Sequence, residues 1–227
     1  MDTVTLVLML CGAALCCAGL AYATYLSFWG PINDRQTAKQ RREKCPPGTS
    51  QGMRPQGPIA VSDSDVKVTQ GYFRLKRATI AGAPAGGKLF YSMILPSHGR
   101  VSSVVVFHHG YGDNCDFLIV NPMRAYAHLF DAAVISFDMP GHGRSDGLFV
   151  HVPDWFEFVS AAEEFVEDFA KPKCIELKGA DSDPPLPLII QGVSMGGGVC
   201  ATLAIQRPGA CIDVKANCSA SACTAAD

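Results

Sequence analysis

Runs of apolar residues predict strands and helices that alternate along this chain. Three short runs, at 104–107, 133–137 and 186–191, are almost wholly apolar, and each is typical of a strand that is buried on both faces. Two earlier segments, 66–75 and 89–95, indicate a hairpin that enters the domain. Helix-like segments follow the three buried strands, and this order predicts a doubly wound, mostly parallel α/β sheet.

The clearest helix pattern covers 154–170. Apolar side chains recur there every three or four residues on one face, and Asp154 lies where its side chain can cap the first turn. We expect the aromatic members of this stripe in the core rather than at a cofactor: Trp155, Phe158, Phe165 and Phe169. Shorter helices are predicted over 121–130 and over 197–206.

The first thirty residues differ from the rest of the chain. No charged residue occurs over 3–30, and the apolar segment 4–28 is long enough to cross the ~30 Å hydrocarbon core as a helix. We therefore predict a single-pass transmembrane anchor over 1–30. The alternative is a signal peptide that is cleaved in the secretory pathway, because the residues at 21–23 resemble a cleavage site.

Basic residues concentrate directly after the predicted anchor. Lysine and arginine side chains occur within 35–44 and none precedes them, so the positive-inside rule places the rest of the chain in the cytosol. Such a basic stretch could also press on anionic headgroups. The segment is followed by Pro- and Gly-rich sequence, and we expect 31–62 to be a juxtamembrane segment and linker.

Composition excludes some classes of function. The formal net charge is −2 and no long basic stripe occurs, so we expect no binding of nucleic acid. The chain has ten cysteines, and no two of them form a C-x-x-C pair. We therefore expect free buried thiols rather than a disulfide framework or a zinc site.

The motif Gly192-Val193-Ser194-Met195-Gly196 follows the third buried strand directly and precedes a helix. A strand, G-x-S-x-G and a helix in this order are typical of a nucleophile elbow, where a sharp turn presents the serine hydroxyl at the top of a sheet. The two outer glycines avoid a Cβ collision in that turn. Ser194 is therefore the candidate nucleophile, and an ordinary Gly/Ser turn is the alternative.

Two other turns follow the other two buried strands. The loop 108–113 can aim a backbone N–H at the serine, so Tyr111 and Met195 are the candidate oxyanion donors through their backbone N–H groups. The loop 137–147 contains Asp138 and His142, which precede the serine in the chain and are expected to be structural. We expect a structural, hydrogen-bonding role for His108 and His109 of the first loop as well.

Together the three motifs resemble the α/β-hydrolase family, specifically its monoacylglycerol lipase and caffeoylshikimate esterase-like branch with a serine aminopeptidase S33-type hydrolase domain. The resemblance covers roughly 66–208 and puts a partial hydrolase domain at 63–208. It implies a serine hydrolase that acts on carboxylic esters, with acylglycerols or related lipids as the leading substrates. It implies no metal and no organic cofactor. It gives the nucleophile role to Ser194 and the oxyanion roles to Tyr111 and Met195.

The pattern of the family breaks near residue 208. Its members place a catalytic acid and then a histidine after the nucleophile, whereas none of the 33 residues after Ser194 is a histidine. The stretch 209–227 is an irregular tail rich in Ala, Ser and Cys, and its aspartates, Asp213 and Asp227, end no convincing strand. We therefore expect a C-terminally truncated domain, with the triad acid and histidine not found in this chain.

Three functions stay open on this basis. The first is a membrane-anchored serine hydrolase that cleaves monoacylglycerol or related lipid esters through an acyl-enzyme at Ser194. The second is a catalytically dead fragment or pseudoenzyme, because a serine without its base is weakly nucleophilic. The third is an acyltransferase or peptidase on the same scaffold, since a fold does not fix a function.

Overall fold

The computed structural model describes the following residues: 37–44, 61–83, 86–116, 119–179 and 184–206. The predicted anchor at 1–30 and the predicted tail at 209–227 lie outside these ranges, so both stay predictions. Within the described ranges, no helix has the length and hydropathy that a membrane span requires.

One mixed sheet of five strands organises the described residues. The strands are β1 (Val66–Arg74), β2 (Lys88–Pro96), β3 (Ser103–His108), β4 (Ala132–Phe137) and β5 (Leu188–Gly192). Their spatial order is β1-β2-β4-β3-β5, in which β1 and β2 form an antiparallel hairpin and β2 runs antiparallel to β4. Strand β3 pairs in parallel with β4 on one side and with β5 on the other. The predicted entering hairpin and the predicted parallel strands are both confirmed, and the hairpin makes the sheet mixed.

Five helices accompany the strands in the described ranges. They are α1 (Ala38–Lys44), α2 (Val120–Phe130), α3 (Trp155–Phe165), α4 (Lys171–Glu176) and α5 (Met195–Gln206). Asp154 caps α3 as expected, because its carboxylate accepts the N–H groups of Phe156 at 2.7 Å and Glu157 at 2.9 Å.

The helix predicted over 154–170 is longer than expected. A π-helical stretch, Val166–Ala170, joins α3 to α4, which continues to Glu176. Pro172 lies in the first turn of α4, where the missing N–H of proline is tolerated. The helical backbone therefore continues past residue 170 through the π-helical stretch and the first turn of α4.

The core lies on both faces of the sheet. Val104 and Val106 of β3 pack against α3 and α5, whereas Val105 and Phe107 face the opposite way and pack with α2. This alternation follows from the period of two in a strand, and it explains why β3 is apolar throughout. The sheet is therefore covered by helices on both faces, and the ends of its parallel strands are held in fixed positions.

Glu164 attaches the segment after β1 to α3. Its buried carboxylate accepts the backbone N–H groups of Lys76 at 2.5 Å, Arg77 at 3.0 Å and Ala78 at 2.7 Å. No other carboxylate of α3 is buried in this way. Because three donors converge on one charged acceptor, this contact holds the end of the hairpin against the helix layer.

Replacing this carboxylate is expected to cost stability. We expect Glu164→Ala to lower the free energy of unfolding by about 2–4 kcal/mol, since hydrogen bonds to charged groups are the stronger class. Urea unfolding followed by circular dichroism measures the change. Glu167→Ala is the matched control, because it removes only a partly exposed pair with Lys171 and should cost at most about 1 kcal/mol. Equal effects of the two variants would contradict the assigned role of Glu164.

Candidate active site

Ser194 lies in a sharp turn between β5 and α5. Its φ of 53° falls in the left-handed region, which residues with a side chain seldom adopt. A Cβ on Gly192 would lie 2.2 Å from the carbonyl oxygen of Gly196, and a Cβ on Gly196 would lie 2.2 Å from that of His108. The chain therefore makes the strand-to-helix turn that the G-x-S-x-G motif predicts, and the turn requires both glycines.

The Ser194 side chain is exposed at this turn. Its carbonyl accepts the N–H groups of Gly197 at 2.9 Å and Gly198 at 3.2 Å, which start α5. Among the described residues, its hydroxyl has no hydrogen-bond partner. The hydroxyl thus stands at the N-terminus of a helix, where the helix dipole favours developing negative charge.

The loop after β3 touches this turn. A Cβ on Gly110 would lie 3.6 Å from the Cβ of Ser194 and 3.7 Å from the carbonyl oxygen of Val193. The neighbouring N–H of Tyr111 and the N–H of Met195 donate to no partner within the described ranges. Two unused backbone donors beside an exposed serine are the arrangement that an oxyanion hole needs. The structure therefore brings Tyr111 and Met195 together with Ser194, while their catalytic roles stay a prediction.

His109 fixes the peptide that carries the Tyr111 N–H. Its Nε2 accepts the N–H of Met139 at 2.9 Å, so its Nδ1 carries the proton and donates to the Gly110 carbonyl at 2.7 Å. The same carbonyl accepts the N–H of Asp113 at 3.2 Å. In a planar trans peptide, the Gly110 carbonyl and the Tyr111 N–H point in opposite directions. Holding the carbonyl therefore sets the direction of the N–H.

The His109 ring is also held in its neutral form. Burial, together with the nearby His142 ring at 5.2 Å between centroids, lowers its pKa to about 3. Both nitrogens are already used by the backbone. The structural role that we expected for His109 is thus a specific one, and the ring is not available as a general base.

Asp138 joins two loops beneath the candidate oxyanion site. Its buried carboxylate accepts the backbone N–H groups of Cys115 at 2.8 Å and Arg144 at 2.7 Å, and Ser145 donates its hydroxyl to the Asp138 carbonyl. Burial raises the pKa of this carboxyl to about 6. None of these contacts involves Ser194, which agrees with the expectation that Asp138 is structural.

His142 has a similar place in the loop. Its Nδ1 donates to the Pro140 carbonyl at 2.9 Å, and its ring packs edge-on against the Tyr111 ring at 5.9 Å. Burial lowers its pKa to about 4. His142 therefore supports the loop of Tyr111 from below rather than reaching Ser194.

His108 was expected to make a structural hydrogen bond, but its ring makes none within the described ranges. The ring is fully buried and packs edge-on against Phe137, with 5.3 Å between centroids. Burial lowers its pKa to about 4. Its backbone carbonyl accepts the N–H of Val193 at 3.1 Å and so connects β3 to the elbow. The expectation was wrong for the side chain because this position is still part of a strand buried on both faces.

Two features of the site left no signal in the sequence. Val150 has a φ of 44°, which is unusual for a β-branched residue, and its carbonyl accepts the hydroxyl of Tyr111 at 3.2 Å. Trp155 donates from Nε1 to Thr202 at 3.1 Å and so ties α3 to the helix that follows Ser194. Both depend on residues that are distant in the chain, and no local motif marks them.

The described part of the chain contains no group of three or more His, Cys, Asp or Glu residues placed to hold a metal ion. A nucleophile at a helix N-terminus with two donors beside it suits attack on a carbonyl carbon, where negative charge develops on oxygen.

Comparison with known proteins agrees with this geometry. The family described as "Serine aminopeptidase, S33" matches residues 99–227. Caffeoylshikimate esterase of Arabidopsis thaliana is 31% identical over 122 residues, which are 53% of this chain and 33% of that protein. Monoacylglycerol lipase of Mycolicibacterium smegmatis is 38% identical over 109 residues, which are 47% of this chain and 34% of that protein.

A solved structure is also similar. It is a soluble variant of monoglyceride lipase from Saccharomyces cerevisiae in complex with a substrate analog, with 26% identity and a TM-score of 0.48, covering 68% of this chain and 43% of that one. The chain spans about a third of the length of the curated relatives it matches. The family match covers more than half of the chain and includes the oxyanion loop, the Asp138 loop and the elbow. The chain therefore belongs to the serine aminopeptidase S33 family, as an α/β-hydrolase of the monoacylglycerol lipase and caffeoylshikimate esterase type.

Proposed function

We propose that this protein is a membrane-anchored serine hydrolase that cleaves carboxylic esters, with monoacylglycerols or related lipid esters as its substrates. The observation that carries the proposal is the exposed Ser194 at positive φ, in contact with the loop of Tyr111. Two matched relatives are an esterase and a monoacylglycerol lipase, which supports an ester substrate.

The proposed reaction has two steps. The Ser194 Oγ attacks the ester carbonyl carbon, the bond from that carbon to the alcohol oxygen breaks, and the alcohol leaves with a proton. Water then attacks the acyl-enzyme, which releases a carboxylic acid and restores the serine. The N–H groups of Tyr111 and Met195 stabilise the oxyanion in both steps, and each such donor is worth about 3–4 kcal/mol in other enzymes.

A base must take the Ser194 proton and pass it to the leaving alcohol. The described histidines near the site are not suited to this step. His109 uses both ring nitrogens, and the rings of His108 and His142 are buried, with lowered pKa values that make them weak bases. The proposed mechanism therefore takes the nucleophile and the oxyanion donors from the described residues and needs its base from elsewhere.

A second candidate function is a non-catalytic protein on the same scaffold. One observation favours it, namely that no described side chain makes a hydrogen bond with the Ser194 hydroxyl. The two candidates differ in whether the serine transfers an acyl group once a base is supplied.

Added imidazole separates the two candidates, because Ser194 is exposed and a small base can reach it. We expect the full chain in detergent to release fatty acid from a monoacylglycerol in the presence of imidazole, with a rate at least about tenfold above that of Ser194→Ala under the same conditions. Subtracting the rate of Ser194→Ala removes the hydrolysis that imidazole catalyses by itself. Equal rates for the two chains would reject the hydrolase and leave the second candidate.

The membrane part of the proposal rests on the uncharged segment at 3–30 and the basic residues after it. We expect the expressed chain to stay in the membrane pellet after washing with alkaline carbonate, as a spanning helix does. Release into the supernatant would contradict an anchor and would leave the proposed chemistry at Ser194 unaffected.

A further inference from the structure

Helix α1 lies within the segment that the sequence assigns to a linker, yet it contacts the hydrolase domain closely. The side chain of Arg41 is buried, with 6% of the residue exposed. Its Nε donates to the Gly143 carbonyl at 2.7 Å, and its Nη2 donates to the carbonyls of Ser145 at 2.5 Å and Gly147 at 3.0 Å. One guanidinium thus binds three alternate carbonyls of the loop that follows β4.

Arg42, the next residue of α1, binds the two residues that lie between these three carbonyls, Arg144 and Asp146. Arg42 donates from Nε to the Arg144 carbonyl at 2.8 Å and pairs with the Asp146 carboxylate at 2.8 Å. Its guanidinium also lies over the Tyr72 ring, 4.9 Å from the centroid. The two arginines together therefore contact five consecutive residues, 143–147, and leave little of this loop without a partner.

The loop has a physical need for these donors. Its backbone turns through Gly143 at a φ of 45° and Gly147 at a φ of 105°, so its carbonyls do not face a regular partner strand. Most of the loop is buried, and a buried carbonyl without a donor is costly. A planar guanidinium with five N–H groups can serve several carbonyls at once, which a lysine cannot do in the same way.

The charge of Arg41 fits this place. The nearby carboxylates of Asp138 and Asp146 favour its charged form, whereas burial and the neighbouring Arg42 lower its pKa to about 10. The guanidinium is therefore still charged at neutral pH, although it is removed from water.

We propose that α1 is a strap of the hydrolase domain, and that its Arg41 and Arg42 bind the loop 143–147 rather than lipid headgroups. The strap is defined by residues 38–44. This loop belongs to the segment 138–147, which leaves β4 at the same edge of the sheet at which β3 leads to Tyr111 and β5 leads to Ser194. The same segment supports the oxyanion loop. The His142 ring packs against the rings of His109 and Tyr111, and Asp138 accepts the N–H groups of Arg144 and of Cys115, just after the oxyanion loop. Helix α1 therefore lies against the domain at its candidate active-site edge.

Substitutions in the full chain test the strap. We expect Arg41→Ala to lower the melting temperature by about 10 °C and to speed amide hydrogen exchange in the loop, at Gly141, Ser145 and Asp146. Arg41→Lys should recover only part of the loss. Lys39→Ala is the matched control on the same helix, because the Lys39 side chain is 87% exposed and meets Glu43 only at 3.9 Å. It should melt within about 1 °C of the unchanged chain.

The proposal is overturned if Arg41→Ala melts and exchanges like Lys39→Ala. If Arg41→Ala does not fold, two other measurements test the strap: the exchange and melting of the milder variant Arg42→Ala, and limited trypsin digestion of the unchanged chain. A docked strap protects the bonds after Arg41 and Arg42 until the domain unfolds, and cleavage there at the rate of an unfolded peptide overturns the proposal.

Vesicles rich in phosphatidylserine should leave the amide hydrogen exchange of the loop unchanged. Faster exchange on their addition would show that headgroups displace the strap, which also overturns it.

Discussion

Acidification from pH 7 to pH 4 is expected to unfold the domain. Burial lowers the pKa of His108 to about 4, of His109 to about 3 and of His142 to about 4, whereas each histidine of the unfolded chain binds a proton below about 6.5. The unfolded state therefore binds more protons, and the stability that these rings contribute is present above pH 6.5 and is lost as the pH falls towards 4.

Asp138 acts in the opposite direction. Its folded pKa of about 6 lies above the ordinary value of 3.8, so the folded state takes up one proton between these values and gains stability as the pH falls through 6. Between pH 6 and pH 4, the unfolded state binds three protons on these histidines, whereas the folded state binds one on Asp138. The unfolded state therefore binds two more protons than the folded state. Stability should then fall by about 2.7 kcal/mol per pH unit, which over two units is comparable to the whole stability of a typical domain.

One substitution measures how much a single histidine contributes to the pH dependence of stability. His108 has no hydrogen-bond partner for its ring among the described residues, so His108→Leu removes a buried titrating group without breaking a described hydrogen bond. Urea unfolding at pH 7, 6 and 5 should show that the slope of stability against pH drops by about 1.4 kcal/mol per pH unit. Val68→Ala, at an exposed side chain that does not titrate, is the control and should keep the slope. An unchanged slope in His108→Leu would contradict the assigned cause of acid sensitivity.

Gly196→Ala is expected to remove more than about 4 kcal/mol of stability, because the added Cβ meets the backbone. It would lie 2.2 Å from the His108 carbonyl oxygen and 2.7 Å from that of His109, and neither atom can move without shifting the end of β3. The substitution should also displace Ser194, since the same turn holds both residues.

The neighbouring helical glycine provides the control for this substitution. A Cβ on Gly198 would lie 3.4 Å from the Trp155 ring, which is a tight but tolerable contact. Gly198→Ala also gains up to about 1 kcal/mol of helix propensity, so it should melt close to the unchanged chain. Thermal unfolding of both variants tests the difference. If Gly196→Ala melts like Gly198→Ala, the described contact between the elbow and β3 is wrong.

The elements that could be predicted are those whose cause is local. The buried strands follow from apolar runs, the Asp154 cap follows from one side chain and two N–H groups, and the elbow follows from a five-residue motif. In each case the residues that decide the structure are neighbours in the sequence. Pattern and steric argument are then sufficient for these elements. The extension of the helix beyond residue 170 was missed, and so was α1 in the segment assigned to a linker.

The contacts that could not be predicted join distant parts of the chain. Arg41 reaches carbonyls more than one hundred residues later, and Glu164 reaches back to N–H groups 86 to 88 residues earlier. A buried arginine looks the same in a sequence as one that faces lipid, so the basic stretch was interpreted by its charge alone. His109 was expected to be structural, but its effect on the Tyr111 N–H depends on both of its ring contacts.

The central claim is that Ser194 is the nucleophile of an acyl-transfer site. The most direct test incubates the folded full chain with a fluorophosphonate in the presence of imidazole and locates the adduct by peptide mass spectrometry. We predict a phosphonyl group on Ser194, formed faster with imidazole than without it, and no adduct at that peptide in Ser194→Ala. A folded chain that carries no adduct on Ser194, or that is modified to the same extent as Ser194→Ala, would contradict the claim.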